Sequence, residues 1–172
     1  MISINTKRLH LRNLAQNDAD AMFDYRNNEI CARYQRGQTK DFEGIVSLIE
    51  RRKNDEISMI SPCMISVALK ETNEMIGEIV VMPKDNTFSI GYTFSYKYHR
   101  QGYAFEALTV LIEYLHNMAP EWSLSVLRNV RTYPVWSCLK NWDIRILAMF
   151  QAWIRRHSVS GLRRLQMRNL FR

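Results

Sequence analysis

The sequence predicts an α+β domain in which helices pack on a largely antiparallel sheet. Three observations carry that prediction. Apolar residues recur at period two near the N-terminus and through the block 64–94, which is broken only by short polar turns. They recur at helical spacing in 19–27, 41–53 and 104–117. A chain of 172 residues, 47% of them hydrophobic, can bury one core, and its 24% charged and 11% aromatic residues exclude a disordered or collagen-like chain.

Residues 1–14 read as one strand, with Ile2, Ile4, Leu9, Leu11 and Leu14 near period two and an interruption at Thr6-Lys7-Arg8. Asn17 or Asp18 can cap a helix over 19–27, with Ala19, Met22 and Phe23 as its apolar face. Thr39 or Asp41 can cap a second helix over 41–53, carrying Ile45, Leu48 and Ile49. Strands follow over 64–69 and 75–82, joined by Glu71-Thr72-Asn73, and a third runs from Thr87 to Phe94 after the turn Pro83-Lys84-Asp85-Asn86. The loop Ser95 to Ala104 then leads into a helix ending near Asn117, with the stripe Ala104, Ala107, Leu108, Leu111 and Leu115.

Composition narrows the function classes. No run of ~18 uncharged apolar residues is present, so no membrane-spanning helix is expected. The first twelve residues lack the apolar core of a signal peptide. Cys31, Cys63 and Cys138 are odd in number and lack metal-ligand spacing, which points to reduced thiols, a cytoplasmic location and no metal site. The net charge of +7 suggests nucleic acid until it is divided along the chain. Residues 1–124 carry 14 Lys+Arg against 16 Asp+Glu, whereas residues 125–172 carry 10 Lys+Arg and one acid, Asp143. Trp136, Trp142 and Trp153 lie in that basic segment too, so the chain is divided into 1–124 and an atypical 125–172.

The segment with most chemistry is a strand, a polar loop with Gly102, and a helix. A helix N-terminus offers unpaired N–H groups and partial positive charge, and so accepts an anion. Gly102 removes a side chain where a phosphate would approach, and Arg100 and Lys97 add charge nearby. A lone glycine more often only turns the chain into a helix, so context has to decide.

Arg100-Gln101-Gly102-Tyr103-Ala104-Phe105-Glu106-Ala107 resembles the acyl-CoA signature of the GNAT superfamily of N-acetyltransferases, Q/R-x-x-G-x-G/A, with the first position falling on His99. Thr6-Lys7-Arg8-Leu9-His10-Leu11-Arg12 followed by Asp18-Ala19 is similar to the opening of the branch that contains ribosomal-protein N-terminal acetyltransferases. Ile76-Gly77-Glu78-Ile79 and Ile90-Gly91-Tyr92 fall where that branch has them, and the resemblance covers about 2–118. It implies a GNAT-like mixed, largely antiparallel sheet flanked by helices, with acetyl-CoA as cosubstrate. Its pyrophosphate would rest on the amides of Arg100, Gln101, Gly102, Tyr103 and Ala104, and its pantetheine arm would pass Phe94 and Ser95. An amine acceptor, a protein N-terminus or a small amine, would attack the thioester, with a backbone N–H near Phe94 as oxyanion donor. Glu78 is the candidate base, acting through water, against the commoner reading of a solvated strand carboxylate. Tyr92 and Tyr96 are weaker candidates, and His116 and His157 have no partner spacing.

The family continues with N-x-x-S-x-x-x-L-E-K-L-G-F, which residues 129–144 do not match. Reading the codons out of register restores it. The third base of each codon with the first two of the next gives Leu at 141/142, Gly at 142/143, and Tyr or His at 143/144, and permits Asn at 131/132 and Ser at 134/135. The expectation is a frameshift between about 118 and 131, leaving the sheet without its final strands and with an exposed edge. The tail can still form a helix over 141–156. Two functions follow: an acetyltransferase whose activity the altered C-terminus could reduce, or a degenerate acetyltransferase fold that binds an acidic partner through its basic tail. Nucleic-acid binding is the disfavoured form of the second; the oligomeric state, a dimer among the options, stays open.

Overall fold

The computed structural model describes residues 1–32 and 41–126. Strand β1 (Ser3–Asn5) and strand β2 (Leu9–Arg12) form a hairpin, with Ile4 opposite Leu11. The single strand expected over 1–14 therefore folds back on itself. The reversal is built from Thr6, whose N–H donates to the Leu9 carbonyl at 2.9 Å while its hydroxyl accepts from the Leu9 N–H at 2.8 Å. Alternation of apolar residues survives such a turn, so periodicity alone does not reveal it.

Helices α1 (Ala19–Asn27), α2 (Glu29–Ala32) and α3 (Phe42–Arg52) follow. Asp41 caps α3, its side chain accepting from the Gly44 N–H at 2.7 Å, and Ile45 and Ile49 are buried one turn apart. They pack with Leu14, Ala19, Met22, Tyr25, Cys31 and Met75. Phe23, expected on the buried face of α1, is 38% exposed, and Tyr25 and Arg26 are buried instead.

Strands β3 (Cys63–Leu69), β4 (Met75–Lys84) and β5 (Thr87–Phe94) form the expected meander. The last turn is shorter than expected, because Pro83 and Lys84 belong to β4. Asp85 and Asn86, with φ of 48° and 55°, make a two-residue hairpin loop of the type that suits strand twist. Pro83 is tolerated because the pairing of β3 with β4 begins at Cys63 opposite Val81 and does not reach it. Helix α4 (Tyr103–Met118) buries Ala107, Leu108, Leu111 and Leu115, four of the five residues of the expected stripe. It crosses over to β6 (Ser123–Val126), which pairs parallel with β5 from Thr87 to Ile90.

The sheet thus runs β1-β2-β3-β4-β5-β6, antiparallel except for its final pair, with helices against it. This is the mixed α+β architecture expected. Strand β6 spans the expected 124/125 boundary, and the helix expected over 141–156, with Cys138 and His157, lies outside the described residues. No helix among the described residues is long and apolar enough to cross a membrane.

Candidate active site

The end of β5 decides which backbone groups are available for chemistry. The Ser95 N–H donates to the Ile76 carbonyl at 2.8 Å, so that amide belongs to the ladder with β4. Bonded pairs alternate along an antiparallel ladder. Phe94, opposite Gly77, therefore turns its N–H and C=O away from β4, towards the side on which the described pairing with β6 stops at Ile90. The Phe94 carbonyl is occupied: the Cys31 thiol donates to it at 3.4 Å and His99 Nε2 lies 2.9 Å away. The Phe94 N–H, the expected oxyanion donor, thus faces the β6 side of β5 beyond the described pairing, and the Ser95 N–H faces β4.

Gly77 makes this close approach possible. A Cβ there would stand 2.6 Å from the Thr93 carbonyl oxygen and 2.9 Å from the Phe94 ring. It belongs to the quoted Ile-Gly-Glu segment, but its steric role could not be read from spacing.

The loop from Ser95 to Gly102 is stitched internally. The Tyr98 N–H donates to the Ser95 carbonyl at 2.9 Å, and Gln101 Nε2 donates to the Lys97 carbonyl at 3.1 Å. Arg100 and Gly102 have φ of 62° and 80°, and Gly102 is the N-cap of α4. The first helical bond runs from the Glu106 N–H to the Gly102 carbonyl, so the N–H groups of Tyr103 and Ala104 precede the helical ladder. A Cβ at Gly102 would meet only Arg8 Nη2, at 3.5 Å. Backbone conformation, more than space, demands glycine there.

The charges are arranged differently from expectation. Lys97 is drawn to Asp24 at 2.9 Å, which raises its pKa, so it is tied to α1. Arg8, 93 residues before Gln101, takes its place at the loop: Nη1 donates to the Gln101 carbonyl at 3.1 Å, and the guanidinium stacks 4.3 Å above the Tyr103 ring. Its Nε donates to Glu106 at 2.7 Å, and Glu106 also accepts from the Arg8 N–H at 2.8 Å and the Thr6 hydroxyl at 2.6 Å. Partial burial favours the neutral acid, but these bonds from Thr6 and Arg8 outweigh it and lower the Glu106 pKa.

Glu78 is not a solvated strand carboxylate. It is 3% exposed, both oxygens lie 2.7 Å from Arg26 Nη2, and the Tyr25 hydroxyl donates to it at 3.0 Å. Burial first, and the Glu78 charge second, push the Tyr25 pKa well up, so Tyr25 stays a donor. Tyr92 is partly exposed beside Phe94, at 6.2 Å between ring centroids, and Tyr96 lies in the loop. His116 is buried on α4, away from the loop in sequence.

A family model described as "Acetyltransferase (GNAT) domain" matches residues 8–160. The uncharacterized N-acetyltransferase YnaD of Bacillus subtilis is 27% identical over 113 residues, and the match spans 64% of each chain, so this chain covers just under two thirds of that relative. Among solved structures, a protein assigned as a ribosomal-protein-serine acetyltransferase from Vibrio cholerae superposes with a TM-score of 0.61 at 20% identity, over 81% of both chains. The microcin self-immunity acetyltransferase MccE, solved with acetyl-CoA and AMP, superposes with a TM-score of 0.53 at 17% identity, over 66% of this chain and 65% of its own. At those identities the solved structures share the fold.

Proposed function

This chain belongs to the GNAT acetyltransferase family, and from that premise we propose that it transfers an acetyl group from acetyl-CoA to a primary amine. The observation that carries the reading is the pairing of a Phe94 N–H turned away from β4 with a glycine-capped helix start, both reached from one strand end. The residues fit the cosubstrate. Gly102 leaves room at the head of α4, and the amides of Arg100, Gln101, Gly102, Tyr103 and Ala104 would hold the pyrophosphate. Phe94 and Ser95 would flank the pantetheine arm, and the Phe94 N–H would meet the oxyanion that forms when the amine attacks. Acetyl-CoA supplies the activated acyl group; the protein orients it and accepts the amine's proton.

Glu78 is proposed as that base, acting through water, and to accept a proton it must give up the hydrogen bond from Tyr25 and part of its hold on Arg26. Glu78→Gln separates the two uses of the residue. A base loses kcat and the acid limb of its pH profile, whereas an anchor for α1 loses stability with the pH profile intact. A ribosomal-protein N-terminus is the acceptor favoured by the opening motif and by the Vibrio cholerae likeness, and the cytoplasm is the location such an acceptor requires. The frameshift from about residue 125 rests on the codon argument. Sequencing codons 118–131 tests it, and the frame-restored chain should gain stability and turnover.

The test of the whole reading is calorimetric titration with acetyl-CoA beside an acetyl-transfer assay on a panel of peptide N-termini and small amines. Binding by the parent chain and its loss in Gly102→Glu, with the fold intact by circular dichroism, is expected. Equal binding by both would remove the loop as the cosubstrate site.

A further inference from the structure

We infer that Arg8 is a phosphate-binding residue for acetyl-CoA, a cation delivered to the loop from the far end of the sheet; the inference rests on the reading of the loop given above. The quoted acyl-CoA signature contains one arginine, Arg100, whose own backbone sits at φ 62°. Lys97, the other nearby cation in sequence, is spent on Asp24. Among the cations of the described residues, Arg8 alone is fixed against the loop by contacts on three sides. Its Nε edge is given to Glu106, its Nη1 to the Gln101 carbonyl, and its flat face to Tyr103.

Among the described residues no hydrogen bond engages Nη2. That nitrogen lies 3.5 Å from the point a Cβ of Gly102, the N-cap of α4, would occupy. A guanidinium can serve a carboxylate, a carbonyl and a phosphate at once because its donors diverge in one plane. An ammonium at the same place is a point charge and cannot hold all three. Arg8 also offsets the charge of Glu106, which stands in the first turn of α4 and would otherwise repel the pyrophosphate. The Thr6-Lys7-Arg8 segment thus acquires a role that its position at a hairpin turn does not suggest.

The experiment compares acetyl-CoA with acetyl-pantetheine, which keeps the thioester arm and lacks the phosphates. Dissociation constants for both are measured calorimetrically in the parent, Arg8→Ala and Arg8→Lys. Arg8→Ala should weaken acetyl-CoA by roughly tenfold or more, the usual scale for a charge-assisted bond, and leave acetyl-pantetheine within about twofold. Arg8→Lys should fall between parent and Arg8→Ala for acetyl-CoA alone. Should Arg8→Ala fail to fold, the same comparison is made with Arg8→Lys. Equal weakening of both ligands, or of neither, overturns the proposal and leaves Arg8 a structural tie. If the parent itself binds both ligands alike, the loop is no phosphate site, and the reading of the loop fails instead of this one.

Discussion

Replacing Gly77 by alanine should damage the site from the adjacent strand. The added Cβ would lie 2.6 Å from a backbone oxygen, Thr93 O, and 2.9 Å from the Phe94 ring. A ring can rotate, but the carbonyl belongs to the ladder and cannot move alone. Strand β5 must shift away from β4 where the Ser95 N–H meets the Ile76 carbonyl at 2.8 Å. Overpacking of this kind costs about 1–3 kcal/mol, and losing the ladder bond adds about 1 kcal/mol. Gly91 on β5 is the control, because a Cβ there meets nothing within 4 Å. Glycine inside a strand costs roughly 0.5–1 kcal/mol relative to alanine, so Gly91→Ala should be neutral or stabilising. The two substitutions are thus opposite in sign. Urea denaturation followed by circular dichroism gives both stabilities, and titration with acetyl-CoA shows whether the displaced Phe94 N–H weakens binding in Gly77→Ala only. If the two variants share one midpoint and one affinity, the close approach at Gly77 is not a constraint and the account of this strand end is wrong.

Removing Arg26 strands a buried charge. Arg26→Ala leaves Glu78 with Tyr25 alone and should cost about 3–5 kcal/mol in denaturant; a loss below about 1 kcal/mol would mean that water reaches the pair. Glu106 has a lowered pKa when folded, so its contribution is present above the unfolded-state value and is lost as pH falls through the folded one. The stability gap between parent and Glu106→Gln should therefore be flat at neutral pH and close on acidification; a gap that widens in acid contradicts the assignment. Burial, with Asp55 adding to it, pushes the Cys63 thiol up to about 11. Iodoacetamide at pH 8 should label Cys63 far more slowly in the native chain than in urea, and mass spectrometry that finds equal rates would place Cys63 at the surface.

Local pattern and distant partner separate what could be read from the sequence. The extent of β5, the cap at Asp41 and four of the five residues of the α4 stripe follow from neighbours within a few residues and are as expected, whereas Gly102 was expected for the space it leaves and is required by its left-handed backbone. The N-terminal hairpin escaped because a tight turn conserves side-chain alternation. The buried face of α1 was misplaced at Phe23 because Glu78, 52 residues on, draws Arg26 inward and rotates the helix towards a polar pair. Lys97, expected to add charge at the loop, is tied to Asp24, and Arg8, for which no role there was expected, reaches the loop through Glu106; neither meeting has a local signal. The loop's residue types were readable, whereas the source of its charge was not.

The tie between Thr6, Arg8 and Glu106 has a consequence for the order in which the molecule is completed. Each strand from β2 to β5 pairs antiparallel with the one before it, so that part of the sheet can be laid down as the chain emerges. The bond from Arg8 to Glu106 spans 98 residues and cannot close until α4 exists. The loop that would hold the cosubstrate is therefore finished late, by a contact whose loop-closure entropy is among the largest in the described structure. Before that contact forms, the N-terminal hairpin can already pair with β3 and meet Asp55, Glu56 and Asn73, but a nascent chain shorter than about 106 residues lacks the tie between Arg8 and Glu106. During refolding the Arg8 amide, which donates to Glu106, should accordingly become protected no earlier than the Glu106 amide of α4 and after the β3–β5 ladder; protection of Arg8 before Glu106 would break the link.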